Sequence, residues 1–512
     1  MNRMNFITTF QNKKTSAWWF ILFFLLICGF THVYQMMQLR PQSVHMWAMC
    51  DRGSVARNYE QESMNFFKPR VHETKEGDGI TGLEFPIMNY VAAIFYKIFG
   101  FSEFWYRFIM YLVYAAGIIS SYLVSGFFLR NTVFRFLSVL LYTSTPILTY
   151  YAANFIPDTA SFGFMMTAWY FFFSYLERPG KVKILMFFLC VTLATLIKLT
   201  SAIGAIIMLG MIIWSYIRRS NFAFSKENAN RPLLILLCLA TLGLTYYWYA
   251  YAKMLNDTYG LSVFLMKSMQ PGSWQAVKDV ATHVNEIWVQ FYYFKPIYYL
   301  LLFSFIFSLI YFKKIDEKLK IVYVGYFFGV ITFVYLMFIQ FNSHDYYIIT
   351  LLPLLFYLFI SVFHIIEKLE LDKKTVSILN LTFILITLFA INFNKKHQEF
   401  RMDEHCWLYD WSRYKDFQTV EPYVQSLGIS KKDKAIAILD YSPNIALYFL
   451  NMKGWSVADV AEDEAISRAM VHRPEYLVIA DSTQINRAIF KSNPPVKIGQ
   501  YLSISFYRLK YE

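Results

Sequence analysis

Asp51 follows the first apolar run by a short spacer and is flanked by Arg52 and Arg57. A carboxylate packed among cations beside an apolar wall points to function, because desolvating an ionisable group at membrane depth is expensive. The plainer reading is a solvated acid at the membrane rim. Glu84, in GITGLEFP, is a second acid in the same stretch, and Arg107 opens the next apolar run. Asp158, in NFIPDTASF, begins an otherwise apolar segment; it either caps a helix N-terminus or helps organise a site. Lys198, in ATLIKLTSA, interrupts two apolar segments with no acid beside it in sequence. It either snorkels to the interface or meets an anionic ligand. The run FNSHDYYIITLLP places His344, Asp345, Tyr346 and Tyr347 together, followed by Pro353. One tyrosine suits an interfacial aromatic belt, but belt residues do not account for the His-Asp pair beside it. Lys253, Lys267, His283 and Glu286 are further candidates in the loop expected over 252–296.

These residues need a membrane scaffold to position them. The 512 residues are 57% hydrophobic, 20% aromatic and only 16% charged, which excludes an ordinary soluble protein and indicates a polytopic membrane protein. The net charge of +13 comes mostly from Lys and Arg in short turns between apolar runs, so it reflects topology and not nucleic-acid binding. The five cysteines (Cys28, Cys50, Cys190, Cys238, Cys406) show no metal-site spacing; Cys50 and Cys406 are the two that could meet outside the membrane. The first apolar run follows Lys13 and Lys14 and has no small-residue cleavage site, so it reads as a retained span.

Hydropathy places about eleven spans, near 17–37, 104–128, 133–153, 158–176, 182–197, 199–217, 232–251, 297–312, 321–341, 346–366 and 375–393. Basic clusters occur at alternate turns: Lys13/Lys14, Arg130/Arg135, Arg178/Lys181/Lys183, Arg218/Arg219/Arg231, Lys313/Lys314/Lys318/Lys320 and Lys368/Lys373/Lys374. Those turns are assigned to the cytoplasm, with the N-terminus inside and the C-terminus outside. Counting Gly82–Gly100 as a span would invert every later turn, so Pro86–Phe99 is read as an amphipathic helix lying along the outer surface. Orientation then gathers loop 38–103, the Asn154–Asp158 turn, Lys198, loop 252–296 and the His344–Tyr347 turn on the outer side.

From about 394 the apolar spans give way to mixed sequence. Ala435–Asp440 and Tyr476–Ala480 read as strands, Glu421–Leu427 and Ala446–Leu450 as helices, and Leu502–Phe506 as an edge strand. The expected architecture is an all-α polytopic membrane domain over 1–393, with its chemistry in the first external loop, and a small external α/β domain over 394–512. That second domain carries no phosphate loop, nucleophile elbow or metal cluster, and is assigned to binding or packing. Neither repeats nor low-complexity segments stand out.

The order of motifs resembles a known family. Asp51 followed by Ala56–Asn58, then Pro69–Arg70, Gly82–Pro86, an amphipathic helix ending at Phe99–Gly100, and Glu103 before Arg107 is similar to the C-type membrane glycosyltransferases. Protein O-mannosyltransferases and the aminoarabinose transferases of lipid A are examples. Pro157–Asp158, Lys198 and His344–Tyr347 with Pro353 follow in the same order, so the resemblance covers roughly residues 15–395. It implies an inverting enzyme of the plasma (inner) membrane that takes a sugar from a polyprenyl-phosphate donor and passes it to a lipid, glycan or protein acceptor outside the cytoplasm. Asp51 would be the general base. Arg107 and Lys198 would bind the donor phosphate, with Tyr346 or Tyr347 donating a hydrogen bond. Glu84 would organise the acceptor or help hold a divalent ion, if one is used, and Asp158, His344 and Asp345 would support the site. The chain departs from many relatives in having Arg52 after the first acid, and from the aminoarabinose type in having Phe85 after the second. These departures argue against a metal bridge and against lipid A as acceptor. The competing readings are a transporter or flippase of a lipid-linked intermediate, and a non-catalytic assembly protein. A transporter should carry polar residues at mid-membrane, whereas these spans are apolar.

Overall fold

The computed structural model describes residues 13–218, 230–264, 268–439 and 441–511; Arg219, Lys267 and Asp440 lie outside them. The chain is mostly helical, with one five-stranded sheet near its end. Among the described residues, six helices are long and apolar enough to cross a membrane: Glu103–Ser125, Leu199–Ile217, Arg231–Tyr259, Glu317–Leu336, Asp345–Lys368 and Lys373–Met402. Two bent pairs, Thr132–Thr143 with Pro146–Ala152 (81°) and Trp274–Tyr292 with Lys295–Ile310 (101°), bring the number to eight if each pair is one span. The protein is thus a multi-pass membrane protein.

The difference from eleven has local causes. Lys181–Ile197 forms a helix of only 17 residues, and Asp158–Glu177 carries an acid at each end with Ser, Thr, Trp and Tyr between. The segment expected as one span over 133–153 breaks at Pro146, whose ring cannot continue a helix; Thr145 before it is extended (φ −65°, ψ 127°). The segment over 346–366 starts as a 3-10 turn, Asp345–Leu351, and becomes α-helical only at Leu352–Lys368. The loop expected over 252–296 is largely helical: Arg231–Tyr259 runs into it, and Trp274–His283 and Val289–Tyr292 flank a π-helical turn.

The chain forms two compact units. The first comprises Met1–Met36, Met110–Trp248 and Lys267–Glu399 and contains most of the apolar helices. The second comprises Met37–Ile109, Tyr249–Met266 and Phe400–Glu512.

The second unit is built on the sheet. Its strands are β1 (Lys434–Leu439), β2 (Lys453–Ala458), β3 (Tyr476–Ile479), β4 (Val496–Tyr501) and β5 (Ile504–Arg508), in the order β2-β1-β3-β5-β4. β1 pairs in parallel with β2 and β3, and β5 pairs antiparallel with β3 and β4. The alternation of β1 sends Ala435, Ala437 and Leu439 into one apolar cluster and Ile436 and Ile438 into another, so both sheet faces are covered. The two expected strands and two expected helices are present within a residue or two. The run ending at Phe506 is an interior strand instead, because a turn at Leu502 (φ 50°) folds β4 along its outer side. β2 and β4, with internal glycines and polar residues, are not recognisable as strands from sequence.

The stretch following His45 is not a solvated loop. Met46–Gln61 is a 16-residue helix with Asp51, Arg52, Gly53, Ser54, Arg57 and Asn58 all buried. Its Met46 and Cys50 belong to the same apolar cluster as β1 and the helix Ile445–Leu450. Ile87–Phe99 is an amphipathic helix of 13 residues, too short to cross a bilayer; Met88, Asn89, Ala92, Ala93 and Tyr96 are buried while Ile98 and Phe99 are exposed. Cys50 and Cys406 are both buried thiols.

Candidate active site

The residues singled out by sequence fall into two groups, one in each unit. In the second unit, Asp51 sits in the middle of helix Met46–Gln61 with 1% of its surface exposed. Asn444 donates from Nδ2 to Asp51 Oδ1 at 2.8 Å. Burial pushes the Asp51 carboxyl up to about 7, against the downward pull of the Asn444 hydrogen bond and of Arg52; the Glu84 charge adds to the rise. Arg52, the next residue, points to Glu84 (Nη2–Oε1 2.5 Å) and also donates to the Ala48 carbonyl at 3.1 Å. Its own carbonyl accepts from Asn89 Nδ2 at 2.8 Å, which ties helix Ile87–Phe99 to helix Met46–Gln61.

Glu84 is placed by the chain just before it. The Gly82 N–H donates to Asn256 Oδ1 at 2.7 Å, and a Cβ at Gly82 would lie 1.8 Å from the Ala252 carbonyl oxygen, so only glycine allows this approach to helix Arg231–Tyr259. Arg107 is buried in the same unit. It donates from Nε to the Leu39 carbonyl at 2.7 Å and from Nη2 to the Arg40 carbonyl at 3.1 Å, and Arg40 in turn pairs with Glu103 at 2.8 Å. Arg57 pairs with Glu421 at 2.5 Å, its guanidinium 4.0 Å from the Phe101 ring centroid.

In the first unit, Lys198 Nζ lies 3.1 Å from Asp158 Oδ2. The pair is invisible in one dimension because 40 residues separate its members; the turn between helices Asp158–Glu177 and Lys181–Ile197 brings them together. Lys198 follows the end of its helix in extended conformation (φ −145°, ψ 118°), so its side chain leaves the helical stack there. The ammonium is 5.9 Å from the Tyr346 ring centroid and 5.7 Å from that of Tyr347, within cation–π range. His344 stacks on Tyr347 (centroids 5.3 Å, 24°), and Asp345, fully buried, accepts from Tyr151 Oη at 2.7 Å. Asp158 and Lys198 line a cleft with Ser161, Ser201, Thr200, Thr350 and Tyr326, a polar wall in apolar surroundings. Thus Asp158, Lys198, His344, Asp345, Tyr346 and Tyr347 share one neighbourhood. Lys253 is exposed on helix Arg231–Tyr259, while His283 and Glu286 lie on the helix and π-turn over 274–288.

The arrangement offers a buried carboxylate poised near neutrality in one unit and a cation framed by an acid and two phenols in the other. Among the described residues no group of three or more His, Cys, Asp or Glu is placed to hold a metal ion, and Glu84 is engaged by Arg52. The residue that sequence reasoning missed is Asn444. An asparagine before an apolar run reads as a helix cap, and nothing in YSPNIALYFL signals a partner 393 positions away.

Residues 84–248 match the family model described as dolichyl-phosphate-mannose-protein mannosyltransferase. No curated protein matches the sequence. Among solved structures, the chain is similar to ArnT from Cupriavidus metallidurans bound to undecaprenyl phosphate, at 12% identity and TM-score 0.59 over 96% of this chain and 98% of that one. The apo form of the same protein gives 11% identity and TM-score 0.56, covering 97% and 98%. The archaeal oligosaccharyltransferase AglB from Archaeoglobus fulgidus, in complex with an inhibitory peptide and a dolichol-phosphate, gives 11% identity and TM-score 0.52, covering 91% of this chain and 69% of that one. At these identities the likeness is one of fold. Fold and family match together bear out the resemblance read from the motif order.

Proposed function

We propose that this protein, built on the C-type glycosyltransferase fold, moves a sugar from a polyprenyl-phosphate donor to an acceptor with inversion at the anomeric carbon, Asp51 acting as general base. The observation that carries the reading is Asp51 itself: a buried carboxyl with an affinity near 7 and an oriented amide partner. An acid solvated at the rim would have neither feature.

In the proposed step an acceptor hydroxyl or amine attacks the anomeric carbon. The bond from that carbon to the phosphate oxygen breaks with its electron pair on oxygen, and the acceptor proton passes to Asp51. The lipid phosphate is a good leaving group without protonation, so the greater need is to stabilise its charge in a low-dielectric wall. Lys198 is assigned that task, with Asp158 orienting the ammonium and Tyr346 or Tyr347 donating to a phosphate oxygen. His344 and Asp345 hold the tyrosine turn. Arg107, whose guanidinium serves the Leu39 and Arg40 carbonyls, is assigned to fixing the chain entry to helix Met46–Gln61. Glu84, held by Arg52, is assigned to organising the acceptor. The neighbours solved with undecaprenyl phosphate and dolichol-phosphate support a lipid-phosphate donor. The alternation of basic turns supports an external C-terminal domain on the inner membrane, and Phe85 favours a glycan, protein or lipid other than lipid A as acceptor.

The test is transfer by the whole protein in lipid vesicles, with polyprenyl-phosphate sugars as donors and the acceptor found by mass spectrometry of glycolipids and glycoproteins from wild-type and deletion cells. Asp51→Asn should lower transfer by about 10²–10⁴-fold with expression and folding intact. Near-normal transfer by that variant would remove Asp51 from the mechanism.

A further inference from the structure

We infer that Asn444 is a positioning residue for the proposed base, its amide holding the Asp51 carboxylate in one orientation so that the C-terminal domain completes the active site. The inference rests on the reading of Asp51 given above and goes beyond it, because the C-terminal domain otherwise has only a packing role.

Asn444 is fully buried and immediately precedes helix Ile445–Leu450. At that position an asparagine normally accepts the first helical N–H groups, yet its side chain makes no such bond. Both ends are committed elsewhere: Nδ2 donates to Asp51 Oδ1 at 2.8 Å, and Oδ1 accepts from the Glu73 N–H at 2.9 Å. The amide is therefore clamped and cannot rotate without losing two bonds in a buried place.

Its mount is rigid. Glu73 belongs to a segment stitched onto β2: Thr74 N–H donates to the Gly454 carbonyl at 2.8 Å and Gly454 N–H to the His72 carbonyl at 3.1 Å. Glu73 Oε2 accepts from the Ser456 N–H at 2.7 Å, and Lys453 Nζ donates to the Val71 carbonyl at 3.0 Å. On the other side, the Tyr448 ring lies so close to Gly53 that a Cβ there would be 2.9 Å from it, which draws helix Ile445–Leu450 against helix Met46–Gln61. A carboxylate on a single-bond rotor loses rate when its acceptor oxygen wanders. Fixing Oδ1 through the Asn444 amide leaves Oδ2 in a defined direction to take the acceptor's proton.

The experiment compares wild type, Asn444→Asp, Asn444→Ala, Asp51→Asn and the double variants in vesicles with one polyprenyl-phosphate sugar. Asn444→Asp keeps the size and the acceptor for the Glu73 N–H but exchanges the donor for a second buried carboxyl that must share a proton with Asp51, so it is read beside Asn444→Ala, which removes the amide without adding charge. The expected result is a kcat lower by about tenfold or more, with KM for the donor within about twofold. In the Asp51→Asn background the same substitution should cost no more than about twofold, since a positioning residue has nothing left to position. Unchanged kcat in Asn444→Asp, or a loss that multiplies fully with that of Asp51→Asn, overturns the inference. The two proposals fail separately: if Asp51→Asn transfers normally the base assignment falls first, whereas if it abolishes transfer and Asn444→Asp does not, only the positioning role falls.

Discussion

Asp51 must be ionised before it can take a proton, and burial raises the pH at which this happens to about 7. The kcat/KM profile is therefore expected to fall about tenfold per pH unit below that point and to level off above it, as measured by initial transfer rates across the range. The stability consequence has the opposite sense. The unfolded chain releases this proton near the ordinary value of 3.8 and the folded chain only near 7, so between those values the folded state holds one proton more and loses stability as pH rises. Above pH 7 the charged form remains buried at a cost. Asp51→Asn should consequently inactivate the enzyme and yet raise its unfolding midpoint above pH 7, by the equivalent of about 1–3 kcal/mol. Lys198 lives by a different rule, since its ammonium is held 3.1 Å from Asp158 with a fifth of its side chain exposed. Lys198→Met should raise KM for the lipid-phosphate donor by about tenfold or more while leaving the acceptor KM near wild type, in steady-state assays varying each substrate. Residue types singled out these positions, because an isolated ion in apolar surroundings is expensive and therefore informative, while the proposed roles came from the resemblance. What sequence could not reveal is pairing: Lys198 with Asp158, Glu84 with Arg52, Asp345 with Tyr151.

Among the elements, the helix Met46–Gln61 was the hardest to read. It is polar enough to pass for a solvated loop, and its charges are buried only because Glu84, Glu421 and Asn444 come to them from elsewhere. The alternation of basic turns set Pro86–Phe99 apart as a helix of its own, within a residue of the observed Ile87–Phe99, but carried no signal for its charged neighbour. Glycine sets how closely the helix packs. Gly53→Ala would drive a methyl into the Tyr448 ring and should destabilise the protein by about 1–3 kcal/mol, read by thermal unfolding in detergent. Transfer should fall as well, since Asp51 and Asn444 flank the same contact. Gly82→Ala meets a backbone carbonyl at 1.8 Å, which cannot give way as a ring can, and should be the more damaging for both folding and transfer. Pro146 illustrates the converse: hydropathy joined 133–153 into one span, and a single ring with no N–H divides it.

For the whole molecule, hydropathy and charge conveyed that the chain is polytopic, and motif order conveyed its fold. They could not convey that residues 37–109, 249–266 and 400–512 make one compact unit, because long-range packing leaves no periodic signature. Removing 400–512 should therefore do more than delete an appendage. It strips Met46 and Cys50 of their apolar neighbours and Arg57 of Glu421, and the truncated chain should be inactive and protease-sensitive over 46–61, as shown by limited proteolysis of the membrane-inserted protein. The same discontinuity sets an order in time. Asp51 emerges from the ribosome early, whereas Asn444 follows 393 positions later and Glu421 follows Arg57 by 364, so these two charges wait through most of synthesis while Arg52 meets Glu84 after 32. A nascent or prematurely ended chain would lack the Asn444 bond to Asp51, so the proposed activity should await completion of the chain.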